Sequence, residues 1–236
     1  MNTVVKPART AFEHRYFVAA AIGIIVVVLA GFSVDLPLVP HLGSLSVLVQ
    51  VHGIVMLTWI ALFFTQALLV ARHRVDLHMR LGIFGAIMAI AVLAVDSATL
   101  IVACRLGGHH MPPGISPERF FALGFFNLAT FAILVCSAIL LRKRSAWHKR
   151  LMLLAALLLL DAALARFINV YTSWTVDPST IRDLLIVACI AVDTWRHRRL
   201  HPAFAIGGMF VVSNDYLANW VAGTETWSWF TKLLLA

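Results

Sequence analysis

Long apolar runs alternate with short polar breaks along the whole chain. A helix that crosses a hydrocarbon layer needs about 20 apolar residues, within a range of about 17–25. Seven segments meet or approach that length: 16–32, 45–71, 81–104, 120–141, 151–171, 178–195 and 202–222. None alternates polar and apolar at every second residue, as the strands of a membrane barrel do. The pattern predicts an all-α bundle of seven transmembrane helices in a single domain. The sixth segment is the weakest. Its purely apolar part is 184–190, and Arg182 and Asp183 are expected at the headgroups. The connections are short, so neighbouring helices run antiparallel and no soluble domain is expected between them.

Composition narrows the classes further. Of 236 residues, 61% are hydrophobic and 13% charged, against about 45–50% and 25% in a soluble domain. A water-soluble enzyme and a disordered chain are both excluded. Cys104, Cys136 and Cys189 are far apart in apolar runs, without a C-x-x-C pair, and read as small core residues.

The formal net charge is +8, and 14 of the 19 lysines and arginines fall in alternate loops: Lys6 to Arg15, Arg72 to Arg80, Arg142 to Arg150 and Arg196 to Arg199. The positive-inside rule puts those loops and the N-terminus in the cytoplasm and, with seven spans, the C-terminus outside. The basic charge is thus an orientation signal. The expected partner is the lipid bilayer, with no nucleic acid. Trp147 and Trp195 are expected at the inner interface, and Trp174, Trp220, Trp227 and Trp229 at the outer one.

Three of the basic loops end alike, in Leu77-His78-Met79-Arg80-Leu81-Gly82, in His148-Lys149-Arg150-Leu151-Met152 and in His201-Pro202. Each puts a histidine at the start of an outward-running helix. Positive charge there opposes the helix dipole, which favours the neutral imidazole that binds metal or haem. Residues 18 apart share a helix face, about 27 Å apart along the axis. Asp96 follows His78 by 18 and Arg166 follows His148 by 18, while Asp215 follows His201 by 14.

The outer ends of these stripes belong to a polar layer. His52, Asp96, Asn127, Asp161, Arg166, Asn214 and Asp215 all count to about 8–15 Å below the outer boundary. Charge inside a span marks function or a register-fixing network. Arg166 needs an anion, with Asp96 or Asp215 expected to supply it. On the second helix, His52, Met56, Trp59, Phe63 and Gln66 form one stripe, suited to lining a pocket. His41, His109 and His110 in the outer loops could add metal ligands to His52.

The stretches around Val51-His52-Gly53, Leu77 to Gly82, His148 to Met152 and Asp193 to Pro202 resemble an uncharacterised group of bacterial multi-helix membrane proteins. The resemblance implies a similar bundle in the bacterial inner membrane, with no activity attached. Histidines near both faces of an antiparallel bundle are also loosely similar to di-haem b-type membrane cytochromes, which implies haem b on His52, His78, His148 and His201. Those cytochromes pair histidines inside two helices at each depth, whereas here only His52 lies well inside a predicted span. Three functions are therefore expected from the residues: a haem b- or metal-binding electron-transfer protein, an accessory or assembly subunit of a larger membrane complex, and a proton-coupled transporter with its site in the outer layer.

Overall fold

The computed structural model describes residues 7–33, 46–107, 114–172 and 176–235. They form α1 (Pro7–Phe32), α2 (Val47–Ala71), α3 (Val75–Leu106), α4 (Pro117–Leu140), α5 (Ser145–Leu158), α6 (Asp161–Tyr171), α7 (Pro178–His197), α8 (Pro202–Ala222) and α9 (Glu225–Leu235). No strand occurs among the described residues. The expected all-α bundle is present, with two differences in its elements. The fifth predicted span is two helices, α5 and α6, bent by 41° at Leu159 and Leu160. The C-terminal residues, where Trp227 and Trp229 were expected at the outer interface, form α9. It is too short to have registered as a span, and Trp227 anchors it rather than facing headgroups. That indole is 9% exposed and donates to the Glu118 carbonyl at 2.9 Å.

Helix ends follow local chemistry. Ser116 and Asp177 cap α4 and α7, each accepting a backbone N–H two or three residues on, with proline at the first helical position. His73 and Arg198 take left-handed backbone (φ 58° and 57°) and close the α2–α3 and α7–α8 turns. The turns are tight, so α3 begins six residues before its predicted start and α5 begins six before its own. His78 and His148 consequently lie within first helical turns rather than ahead of them.

Neighbouring helices pack in the order α1–α2–α3–α4–α8–α7–α6 and back to α1. Within this ring stands α5, packed on α1, α4, α7 and α8. Leu151 and every residue from Leu153 to Leu158 are at most 5% exposed. A helix apolar on all sides is stable only when surrounded by protein or lipid. Beyond the bend, α6 leaves the centre and joins the ring between α1 and α7. There α1 passes α6 so closely that a Cβ on Gly31 would lie 2.2 Å from the Ala163 carbonyl oxygen.

The outer surface is apolar. Ile83, Ile87 and Ile90 along one face of α3 are 58–70% exposed, as are comparable residues of α1 and α2. Such a surface is tolerated against lipid. Among the described residues, four helices (α1 from Phe12, α2, α3 and α4) are long and apolar enough to cross a membrane, and the bent α5–α6 pair makes a fifth. The helices α7 and α8 fall outside that set because they carry Arg182, Asp183 and Asp193, and Asn214 and Asp215, respectively.

Candidate functional site

The polar side chains gather at the two ends of the bundle. The basic end holds the start of α1 and the α2–α3, α4–α5 and α7–α8 turns. The far end holds the opposite termini.

At the basic end, Arg150 of α5 and Asp193 of α7 form a sealed bidentate pair. Nη2 lies 2.7 Å from Oδ1 and Nε lies 3.0 Å from Oδ2, with side chains 3% and 1% exposed. The guanidinium also donates to the Ala146 carbonyl and lies over the Phe204 ring. The Nδ1 of His197 donates to the Asp193 carbonyl at 2.8 Å, and its Nε2 sits 2.9 Å from Oε1 of Glu13, which also pairs with Lys149. Tyr16 donates to the Cys189 carbonyl at 2.9 Å. Six charged or titratable groups thus tie α1, α5 and α7 together. Sequence reading treated Lys149 and Arg150 as orientation signals only. The burial of Arg150 and the half-burial of Lys149 became visible when α5 proved to begin before them.

Beside this network, His78 of α3 and His148 of α5 face each other, ring centres 6.2 Å apart and planes at 85°. The Nδ1 of His148 lies 2.9 Å from the Ala138 carbonyl. A carbonyl only accepts, so that nitrogen carries the proton and Nε2 keeps the lone pair in the neutral ring. The Nδ1 of His78 is buried without a hydrogen-bond partner. His201 differs. Its Nδ1 accepts the Ala203 N–H at 3.1 Å, so it caps α8, and its ring stacks edge-on against Trp147 at 5.5 Å. The lone pair that a metal would need is engaged in the cap. Burial also keeps this imidazole below the usual histidine range. Of the three repeated histidines, the fold brings two together and gives the third a structural task.

At the far end, Arg182 of α7 is the centre. Its side chain is 0% exposed and meets three carboxylates: Asp161 at 2.5 Å, Asp215 at 2.8 Å and Asp183 at 2.9 Å. Asn214 donates to Asn127 at 2.7 Å and accepts from Thr130 at 2.9 Å, and Asn127 reaches Asp161 at 3.4 Å. Four members of the expected layer therefore do meet: Asn127, Asp161, Asn214 and Asp215.

The expected cation does not join them. Arg166 is exposed on α6, donates to the Ala162 carbonyl at 3.3 Å and lies 4.6 Å over the Phe32 ring. Asp96 and Asp215, its expected partners, are taken by His52 and Arg182. The physical reason is the bend. It turns α6 and swings Arg166 outward, while Asp161 at its start turns inward. Arg182 was assigned to the headgroups because it lies only four residues into its helix, and no sequence signal marked it as buried. Asp96 stands apart from the Arg182 cluster, 2.9 Å from Nδ1 of His52. His41, His109 and His110 lie outside the described residues.

Among the described residues, no group of three or more His, Cys, Asp and Glu side chains is arranged to hold a metal ion. Comparison of the chain with family models, with curated proteins and with solved structures yields no match.

Proposed function

We propose that this integral membrane protein binds haem b between His78 and His148 and carries electrons within the bacterial inner membrane, crossing it seven times with the basic end in the cytoplasm. The observation that carries the reading is the histidine pair. Two imidazoles on one metal have ring centres about 6 Å apart, since each metal–nitrogen bond is about 2 Å and the ring centre lies about 1 Å beyond. The observed separation is 6.2 Å, with the Nε2 lone pair of His148 freed by the bond from Nδ1 to Ala138. A bare ion asks for three or four protein ligands. Haem asks for two at most, and two is what the fold brings together here. Bound there, haem supplies a one-electron couple. The protein residues orient the imidazoles and exclude water. His201 and His52 have no part in this assignment.

Purification after expression with added haem precursor tests it. The expected result is a Soret band, with a sharp α band on reduction. His78→Ala and His148→Ala each lower the haem-to-protein ratio more than tenfold, while His201→Ala and His52→Ala leave it near the wild-type value. A colourless protein that takes up no haem overturns the reading. For the topology, a reporter enzyme fused after Ala236 is expected to be active outside the cytoplasm.

A second reading, a proton-coupled carrier, draws on the far-end cluster. Discontinuous spans whose half-helix starts face charged groups are a feature of carrier sites. The bent α5–α6 span begins its second half at Asp161, against Arg182. Proton uptake by loaded vesicles that Asp161→Asn abolishes, in a protein without haem, would favour it.

A further inference from the structure

The helices α2 and α3 form an antiparallel pair in a constant register. Nδ1 of His52 meets Asp96, Leu62 lies against Gly85 and Gln66 lies against Gly82. In each of the three pairs the residue numbers sum to 147 or 148, so Trp59 stands opposite Ala89. The stripe of α2 defined by His52, Trp59 and Gln66 therefore runs along the seam with α3, seven residues or about 10 Å per step.

Polar atoms along this seam lack partners. Trp59 is 2% exposed and its Nε1–H has no acceptor. The Oε1 of Gln66 is buried with no donor, and so is Nδ1 of His78, one helical turn from Gly82. Buried polar groups left unpaired are costly, and most that appear so are bonded to internal water. On the facing helix Gly85 is half-buried and Gly82 lies exposed at the flank, so neither puts a side chain over the seam. A Cβ on Gly82 would meet nothing nearer than 3.9 Å, and one on Gly85 nothing nearer than 3.6 Å. Gly82, Gly85 and Ala89 give the seam a wall without side-chain bulk. At its far end, His52 and Asp96 are 32% and 16% exposed, a polar mouth on an otherwise apolar flank.

We infer that the α2–α3 seam holds a file of water molecules that admits protons from the far face, through the His52–Asp96 pair, as deep as Trp59 and Gln66. Each element has a role the side chain can perform. Asp96 and His52 exchange a proton with outside water. The indole N–H of Trp59 only donates and so orients a water without relaying through itself. The Gln66 carbonyl accepts from the last water of the file. Protons move by transfer from one water to the next, with no net charge left on any side chain. The file ends beside the histidine pair of the proposed haem site. The inference uses that site only for its destination, since the water file stands or falls on the seam itself.

Hydroxyl-radical footprinting with short X-ray pulses tests it on the full chain in detergent or nanodiscs. Radicals formed in bound water label the side chains beside it, even where bulk solvent does not reach. Trp59 and Met88, which is 8% exposed on the same stretch of α3, are expected to be labelled at least fivefold faster than the buried Phe204. The double variant Gly82→Ala/Gly85→Ala adds two methyl groups at ordinary contact distance from Gln66 and Leu62, without a clash, and is expected to lower the labelling of Trp59 and Met88 severalfold while the thermal transition is retained. Labelling of both residues no faster than Phe204 overturns the inference. So does fast labelling that the two alanines leave unchanged, because the radicals then do not originate in the seam. Absence of haem in the same preparation removes the proposed function and leaves these outcomes intact.

Discussion

The networks at the two ends of the bundle use the same residue types to opposite effect. At the basic end, Lys149 and Arg150 face Glu13 and Asp193, two cations against two anions. The Arg150–Asp193 pair is at most 3% exposed. At the far end, one cation, Arg182, faces three carboxylates that are 16–28% exposed. A sealed site tolerates only balanced charge, because the low dielectric magnifies any remainder. An unbalanced site must stay within reach of solvent. The first arrangement suits a fixed pin between helices. The second leaves its surplus acid partly exposed, beside the bend at Leu159–Leu160.

The strongest test of this contrast is Asp193→Leu. It leaves Arg150 as an unpaired buried charge, and the expected cost is about 3–5 kcal/mol. Thermal unfolding in detergent measures it. Adding Arg150→Met should recover most of the loss, since two apolar side chains can replace a sealed pair. A single-variant loss under about 1 kcal/mol would contradict the sealed-pin description.

Arg182→Leu comes next. It leaves three carboxylates without their shared cation, but solvent relieves part of the cost, so the loss is expected near about 3 kcal/mol, the low end for a broken buried pair. Asp161→Asn in that background should restore part of it. By contrast, Asp183→Asn alone is expected to cost about 0–1 kcal/mol, the range of exposed pairs. Were Asp183→Asn as damaging as Asp193→Leu, the two ends would not differ as described.

The smallest effect concerns pH. Because burial holds His201 below the usual histidine range, the unfolded chain takes up this proton at higher pH than the folded one. The stability tied to the neutral ring is fully present above about pH 6.5 and is lost as pH falls below it. His201→Asn keeps a capping side chain and removes the titration. The variant is expected to show a flatter stability profile below neutral pH, read from melting temperatures at several pH values. An unchanged slope would assign the acid sensitivity elsewhere.

Helix existence was legible because 20-residue apolar runs have few alternatives in a polypeptide. The predicted 45–71 and 202–222 differ from α2 and α8 by at most two residues at any end. Depth along a span was legible too, and it correctly grouped Asn127, Asp161, Asn214 and Asp215. Counting residues assumes straight, upright helices, and there it failed. A straight fifth helix would set Asp161 about 15 Å below Tyr171 and Arg182 only about 6 Å below Pro178. The 41° bend tilts α6 and shortens its rise, bringing Asp161 to Arg182. No glycine or proline announces that bend. It falls within an unbroken run of leucines, Leu157 to Leu160. Rotation about the helix axis was equally hidden, which is why Arg166 was expected inside.

The placement of α7 has a consequence for the order in which the protein is made. As the chain emerges, α5 and α6 enter the membrane before their partners exist. A nascent chain that ends near Tyr171 already carries Arg150, whose bidentate carboxylate lies on α7, and Asp161, whose guanidinium also lies there. Each is an unfavourable charge in or near hydrocarbon until then. The twenty residues of α7 deliver both counterparts together, Arg182 to one end and Asp193 to the other. The arrival of that single segment pairs both waiting charges, and Asp215 of α8 then completes the far-end cluster. The interval before it arrives is when membrane quality-control proteases would find the chain most exposed.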